Sequence, residues 1–270
     1  MVESPQIKQD VRRVSVIGLG LIGGSIAAGI KQQGLASSVC AWDPNAASLA
    51  LGHDLGIIDS IAADINEATA QSDLIVLAVP VQSMEQVLRD IDLKDQVITD
   101  VGSVKGIAVE AARRVFGELP ENFIPGHPIA GSEKQGVVAA DPNLFRQHKV
   151  ILTPGEASNP AAIARVEKLW NGLGAEVVRM SVSHHDDVLA QTSHLPHLLA
   201  YALVDTLSAG GDSLEVFEYA AGGFRDFSRI AASDPTMWSD IFEANKEPLV
   251  QVLDQYLLKL ETLKQLIESG

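Results

Sequence analysis

The residues best suited to chemistry in this chain stand at Gly126-His127-Pro128-Ile129-Ala130-Gly131-Ser132-Glu133. An imidazole can take or give a proton close to neutral pH. Glycine and proline on either side constrain its backbone, and the apolar run Phe123-Ile124-Pro125 before them places the histidine in a turn at the edge of a packed element. Taken alone, such a histidine can also be purely structural. Upstream, Asp100-Val101-Gly102-Ser103-Val104-Lys105 sets a hydroxyl and an amine at a strand-to-helix junction. Ser103 there is either a helix N-cap or a polar group of a site, and Lys105 is expected to be solvated.

A third motif, Gly18-Leu19-Gly20-Leu21-Ile22-Gly23, has the G-x-G-x-x-G spacing between a strand and a helix, with Asp43 at the end of the second strand. Gly18 permits a tight turn, Gly20 lets backbone approach a pyrophosphate, and Gly23 lets helix and strand pack closely. The helix start at Leu21 and Ile22 offers free N–H groups and a partial positive charge to phosphates. Asp43 would accept the ribose hydroxyls of NAD and repel the 2′-phosphate of NADP, or else serve as a surface or capping acid. Val79 and Pro80, closing a later strand, complete the expected cofactor-binding set. A dinucleotide beside a histidine suits hydride transfer from an alcohol carbon, with His127 taking the hydroxyl proton.

The elements that must position these groups follow from periodicity. Arg13–Gly18, Ser38–Asp43, Asp73–Pro80 and Gln96–Val101 are short apolar or β-branched runs, alternating with helical stretches at Leu21–Gln33, Val81–Ile91 and Lys105–Phe116. Strands alternating with helices predict a parallel sheet covered on both faces. Val150–Thr153 and Ala175–Arg179 read as late strands around a helix from Pro160 to Leu173. After Met180 the pattern is helical, broken at Gly210-Gly211, Gly222-Gly223 and Pro235. The expected fold class is therefore α/β, a Rossmann-type doubly wound sheet in residues 1–180 followed by an all-α domain in 181–270.

The chain has 270 residues, 46% of them hydrophobic, enough for a substantial core. A net charge of −15 argues against nucleic acid and anionic membranes as partners, so an anionic substrate needs specific local cations. A lone cysteine, Cys40, excludes a disulfide framework and favours a reducing compartment. With no signal-peptide core and no long apolar window, a cytoplasmic protein is expected.

Together the three motifs, Ser193-His194-Leu195-Pro196-His197, and Gly222-Gly223-Phe224-Arg225-Asp226-Phe227-Ser228-Arg229-Ile230-Ala231 resemble the prephenate/arogenate dehydrogenase family of tyrosine biosynthesis. The resemblance runs in order from about residue 13 to 245. It implies a Rossmann-type domain for NAD(P), a helical domain supplying substrate contacts and a homodimer interface, and oxidation of a ring carbinol with loss of CO2 from prephenate or its amino analogue arogenate.

By position in that pattern, His127 accepts the ring hydroxyl proton, Ser103 orients the imidazole and also joins the cofactor-binding set near the nicotinamide, and Arg229 grips a substrate carboxylate with a planar two-point guanidinium. A helix-surface ion pair is the alternative for Arg229. His194 and His197 are i, i+3 and read as pocket, core or metal-binding histidines, but no acid or thiol at matching spacing completes a metal site, so none is expected. His185 either faces the pocket or is solvated beside its acids. Ser132 and Glu133 fall at the substrate entrance, where Glu133 could pair with Arg225, and Trp238 is a pocket aromatic or a core residue. Two other readings are a β-hydroxyacid or imine-type oxidoreductase and a non-catalytic NAD sensor. The first commonly uses a lysine that Asp186–Tyr201 lacks, and the second predicts the loss of His127, Ser103 or Arg229, all of which are present.

Overall fold

The structure, a computed structural model, describes residues 11–131, 134–209 and 222–270. It divides into two units, the first ending at Val182 and the second running from Ser183 to Gly270.

The first unit is built on a five-stranded sheet in the order β3-β2-β1-β4-β5, every pairing parallel. Its strands are β1 (Arg13–Ile17), β2 (Ser38–Trp42), β3 (Ser60–Ile61), β4 (Leu74–Leu77) and β5 (Val97–Asp100). The central strands are apolar throughout because both faces are covered. Val14, Val16, Leu74 and Val76 pack into one hydrophobic cluster, while Ile17, Ile75, Leu77 and Ile98 pack into another on the opposite face. The covering helices include α1 (Leu21–Gln33), α2 (Ala46–Asp54), α3 (Ile65–Thr69), α4 (Met84–Arg89) and α5 (Lys105–Phe116). With β1 between β2 and β4, the crossovers diverge on its two sides, and the crevice at the carboxyl ends of β1 and β4 is the topological switch point where ligands of such sheets gather.

Three further strands form a separate sheet: β6 (Gly126–Pro128), β7 (Lys149–Leu152) and β8 (Glu176–Arg179), with α6 (Pro160–Gly172) between the last two. β6 runs antiparallel to β7, and β7 parallel to β8. His127 therefore lies in a strand, not in the turn that its glycine and proline neighbours suggested. The chain before β6 also borders the first sheet, with Ile124 N–H donating to Ile98 C=O at 2.8 Å. The α2–β3–α3 stretch has no counterpart among the elements expected from periodicity. β3 has only two residues, both exposed, and α3 is a five-residue helix started by Asp64, whose carboxylate accepts from Glu67 N–H.

The described part of the second unit is helical: α7 (Val182–Leu189), α8 (Leu195–Ser208), α9 (Gly222–Arg229), α10 (Pro235–Ala244) and α11 (Lys246–Ser269). Between α7 and α8, Ala190–His194 forms a wider π-helical turn, in which Leu195 N–H reaches back to Ala190 C=O. α10 begins with Asp234 accepting from Thr236 N–H and Met237 N–H, with Pro235 in the first turn where its missing N–H is harmless. α11 carries an exposed row that includes Leu257, Leu258, Leu263, Leu266 and Ile267. Among the described residues no helix is long and apolar enough to cross a membrane.

Candidate active site

The glycine loop follows β1 directly. Gly18 has φ +93°, and a Cβ there would fall 2.3 Å from Ala78 C=O, so the turn after β1 closes tightly on the end of β4. A Cβ on Gly23 would lie 2.0 Å from Gly18 C=O, which shows how closely α1 packs on the loop. At Gly20, in contrast, nothing lies within 4 Å of where a Cβ would be. The open space is at the start of α1, whose first-turn N–H groups, including those of Leu21 and Ile22, have no partner within the helix. Val79 stands half-buried beside Gly18, and Pro80 is exposed after it.

Asp43 braces this loop from the end of β2. One carboxylate oxygen accepts from Leu19 N–H at 2.6 Å and the other from Asn45 N–H at 2.7 Å. The acid is thus more than a surface charge, since it holds the loop that would meet the pyrophosphate and retains lone pairs for a ribose. Open space at Gly20, free N–H groups and a braced carboxylate are what a dinucleotide needs, and the residues present fit NAD.

At the carboxyl end of β5 the structure corrects the reading of Lys105. Its side chain is not solvated but fully buried and ion-paired with the equally buried Asp100. Lys105 Nζ also donates to Gly126 C=O at 2.6 Å, while Asp100 accepts from Gly102 N–H at 2.9 Å and Gly126 N–H at 3.2 Å. A lysine opening a helix runs against the helix dipole, and with an acid closing an apolar strand five residues earlier it was the available signal for a buried pair. Ser103 is half-buried on the loop between these two residues and is not a cap, because the N-cap of α5 is Val104. His127 is half-buried in the middle of β6, opposite Ile151 of β7.

In the second unit His185 is completely buried, its Nδ1 2.7 Å from an Asp186 carboxylate oxygen, so the solvated alternative falls. His194 is also buried, and Asn245 places its side-chain amide nitrogen 3.0 Å from the Nδ1 of His194 and 2.8 Å from Asp186 C=O. The amide donates in both contacts, so Nδ1 of His194 is the acceptor and its proton sits on Nε2. Burial pushes the His194 pKa down to about 4, keeping the ring neutral. His197 is half-buried, its pKa lowered by the same cause, and its Nδ1 donates to Ser193 C=O at 2.9 Å. Trp238 is buried between them, with ring centroids 3.6 Å from His197 and 6.2 Å from His194. The two histidines do share a face, against the indole. Asn245, which fixes the tautomer, was missed because a lone asparagine between helices carries no pattern.

Arg225 and Arg229 are exposed on α9 and, four residues apart, share a helix face. Among the described residues neither has an ion pair. Ser132 and Glu133, and with them the expected Glu133–Arg225 pair, lie outside the described residues. Among the described residues no cluster of three or more His, Cys, Asp or Glu could hold a metal.

A doubly wound parallel sheet with a glycine loop at its switch point and an acid on the neighbouring strand defines an NAD-dependent enzyme of the Rossmann class. The chain belongs to the prephenate dehydrogenase family, whose nucleotide-binding domain matches residues 26–179 and whose dimerization domain matches residues 181–270. It is 38% identical to the cyclohexadienyl dehydrogenase of Zymomonas mobilis over 264 residues, covering 96% of this chain and 89% of the relative. Prephenate dehydrogenase of Bacillus subtilis is 34% identical over 261 residues, 95% of this chain and 70% of that one. The crystal structure of prephenate dehydrogenase from A. aeolicus in complex with hydroxyphenyl propionate and NAD+ superimposes with a TM-score of 0.87 at 38% identity, covering 95% of this chain and 90% of its own.

Proposed function

We propose that the chain catalyses the NAD-dependent oxidative decarboxylation of prephenate to 4-hydroxyphenylpyruvate. The observation that carries this is the joint match of both halves of the chain to one family, with the glycine loop, Ser103, His127 and Arg229 all in place.

Bound NAD+, held by the Gly18–Gly23 loop, Asp43, Val79 and Pro80, supplies the hydride acceptor. His127 hydrogen-bonds the ring hydroxyl and takes its proton as hydride leaves the carbinol carbon. The bond to the ring carboxylate breaks, CO2 departs, and the electron pair left behind completes the aromatic ring. The product is a phenol, so His127 returns its proton to that oxygen and none is released overall. Ser103, on the adjoining loop, orients the imidazole. Arg229 binds a carboxylate of the substrate, supplying a local cation in a chain of net charge −15. Arg225, Ser132 and Glu133 guard the entrance. His194, His197 and Trp238 build an aromatic pocket wall that suits a ring about to become aromatic, with His185 behind it held by Asp186. Asp43 selects NAD over NADP.

Residues 1–180 serve as the cofactor domain and 181–270 as the substrate-binding and dimerisation domain of a cytoplasmic homodimer. The exposed leucines of α11 supply apolar surface of the kind that pairing buries.

Purified protein mixed with prephenate and NAD+ should form NADH, CO2 and a phenolic product in equal amounts. Absence of NADH would overturn the proposal, and NADH formed only with arogenate would move the substrate to the amino analogue. His127→Asn should slow turnover about 10²–10⁴-fold, the range of a lost general base, while cofactor affinity stays within about twofold.

A further inference from the structure

The buried pair Asp100–Lys105 has no part in the chemistry above, yet both of its side chains reach Gly126, in the segment that carries His127. In the β6–β7 pairing, Thr153 N–H donates to Pro125 C=O and Ile129 N–H to Lys149 C=O. The polar groups of this strand that face β7 therefore alternate from Pro125 through His127 to Ile129, and those of Gly126 point to the opposite edge. β5 borders that edge at Ile124, whose N–H donates to Ile98 C=O, but it ends at Asp100 and its backbone does not take up the polar groups of Gly126. Instead Asp100 accepts from Gly126 N–H at 3.2 Å and Lys105 Nζ donates to Gly126 C=O at 2.6 Å. Two side chains satisfy both backbone polar groups of one residue, as a neighbouring strand would.

We infer that Lys105 and Asp100 are positioning residues which, by clasping Gly126, fix His127 relative to the Ser103 loop. The loop that carries Ser103 is bounded by this pair, and Asp100 also accepts from Gly102 N–H at 2.9 Å, so one ion pair sets both sides of the geometry. The glycines on either side of the clasp permit it. A Cβ on Gly102 would fall 3.0 Å from the Asp100 carboxylate, and one on Gly126 3.1 Å from Asp100 C=O. Burying two charges is expensive, and a hydrophobic pair of similar volume is often as stable or more so. Its presence here is accounted for by what it holds in place.

The inference rests on His127 being the proton acceptor, and the experiment separates the two claims. Lys105→Met alone strands the Asp100 charge and can simply fail to fold, so the deciding variant is the paired replacement Asp100→Asn with Lys105→Met. That variant is neutral, keeps an acceptor for Gly126 N–H and loses the donor to Gly126 C=O. Its kcat with prephenate should fall by about one to two orders of magnitude, as small misplacements of a catalytic group do, with NAD+ affinity by calorimetry unchanged within about twofold. In a His127→Asn background the same replacement should cost less than about twofold more, because a group acting through His127 has nothing left to position. An unchanged kcat, a full multiplicative loss on top of His127→Asn, or a paired variant that does not fold would each overturn the inference, the last by assigning the pair to stability. If His127→Asn itself leaves turnover intact, it is the reading of His127 that fails.

Discussion

The imidazole of His197 lies almost flat on the indole of Trp238, the ring centroids 3.6 Å apart and the planes 19° from parallel. Trp238 in turn meets Phe242 at 5.5 Å and the edge of His194 at 6.2 Å, so one indole joins rings from α8, α10 and the π-helical turn. Stacked pairs of this kind add about 0.5–1.5 kcal/mol beyond the area they bury. The stack also shields His197 from water, and burial is what lowers its pKa. In Trp238→Ala the ring gains solvent, and its pKa, followed by NMR of the imidazole carbon-bound protons, should rise toward the ordinary histidine value. An unmoved titration would show that the indole is not what shields it.

His194 makes stability depend on pH. Its folded pKa of about 4 lies below the unfolded value near 6.5, so the unfolded chain binds the extra proton first as pH falls. The stabilisation is fully present above pH ~6.5 and is lost progressively down to pH ~4, with about 2 kcal/mol gone at pH 5. Urea denaturation at pH 7 and pH 5 should show this loss, and His194→Gln should remove most of it. The same slope in the variant would assign the pH dependence to other groups.

Gly20 and Gly23 should respond differently to alanine. Gly20→Ala enters open space and should leave the melting temperature within about two degrees, while NAD+ binding weakens at least tenfold, because the added methyl occupies the approach to the pyrophosphate. Gly23→Ala drives a methyl onto Gly18 C=O, so the fold itself should lose several kcal/mol, in the range of overpacked cores or beyond. Thermal melts with and without NAD+ distinguish the two; equal destabilisation by both changes would contradict the loop geometry.

Asp43→Asn should do two things at once. One of the amides it braces, Leu19 N–H or Asn45 N–H, then faces an NH2 group and loses its acceptor, which costs about 1–3 kcal/mol of local order. The negative charge that would repel a 2′-phosphate also disappears. KM for NAD+ should rise about tenfold and the ratio of kcat/KM for NADP+ over NAD+ should increase. A ratio that stays put would show that cofactor choice resides elsewhere.

The dinucleotide half was legible because backbone conformation and spacing dictate residue type there. Gly18 must adopt positive φ, Gly23 must lack a Cβ, and apolar strands must alternate with helices to cover a parallel sheet. The α2–β3–α3 edge was illegible because a two-residue exposed strand leaves no periodic trace. Lys105 was misread because residue type predicts exposure only on average, and its partner is visible in the sequence only to a reader who doubts the lysine. For His185 the sequence left two readings open, and burial beside Asp186 excludes the solvated one. The placement of His127 in a strand depended on β7, more than twenty residues away, and no local signal could supply that.

One consequence concerns the π-helical turn at Ala190–His194. Each residue of a helix advances the azimuth by about 100°, and a π turn holds one more residue per turn than an ordinary helix would. Deleting one of the four residues before His194 in this stretch would let it relax to the common pitch and swing all of α8 around its axis, taking His197 off the indole while every side chain that touches the ring keeps its identity. What this stretch must preserve is a count rather than a composition: substitutions there can be mild where a one-residue deletion dismantles the stack on Trp238.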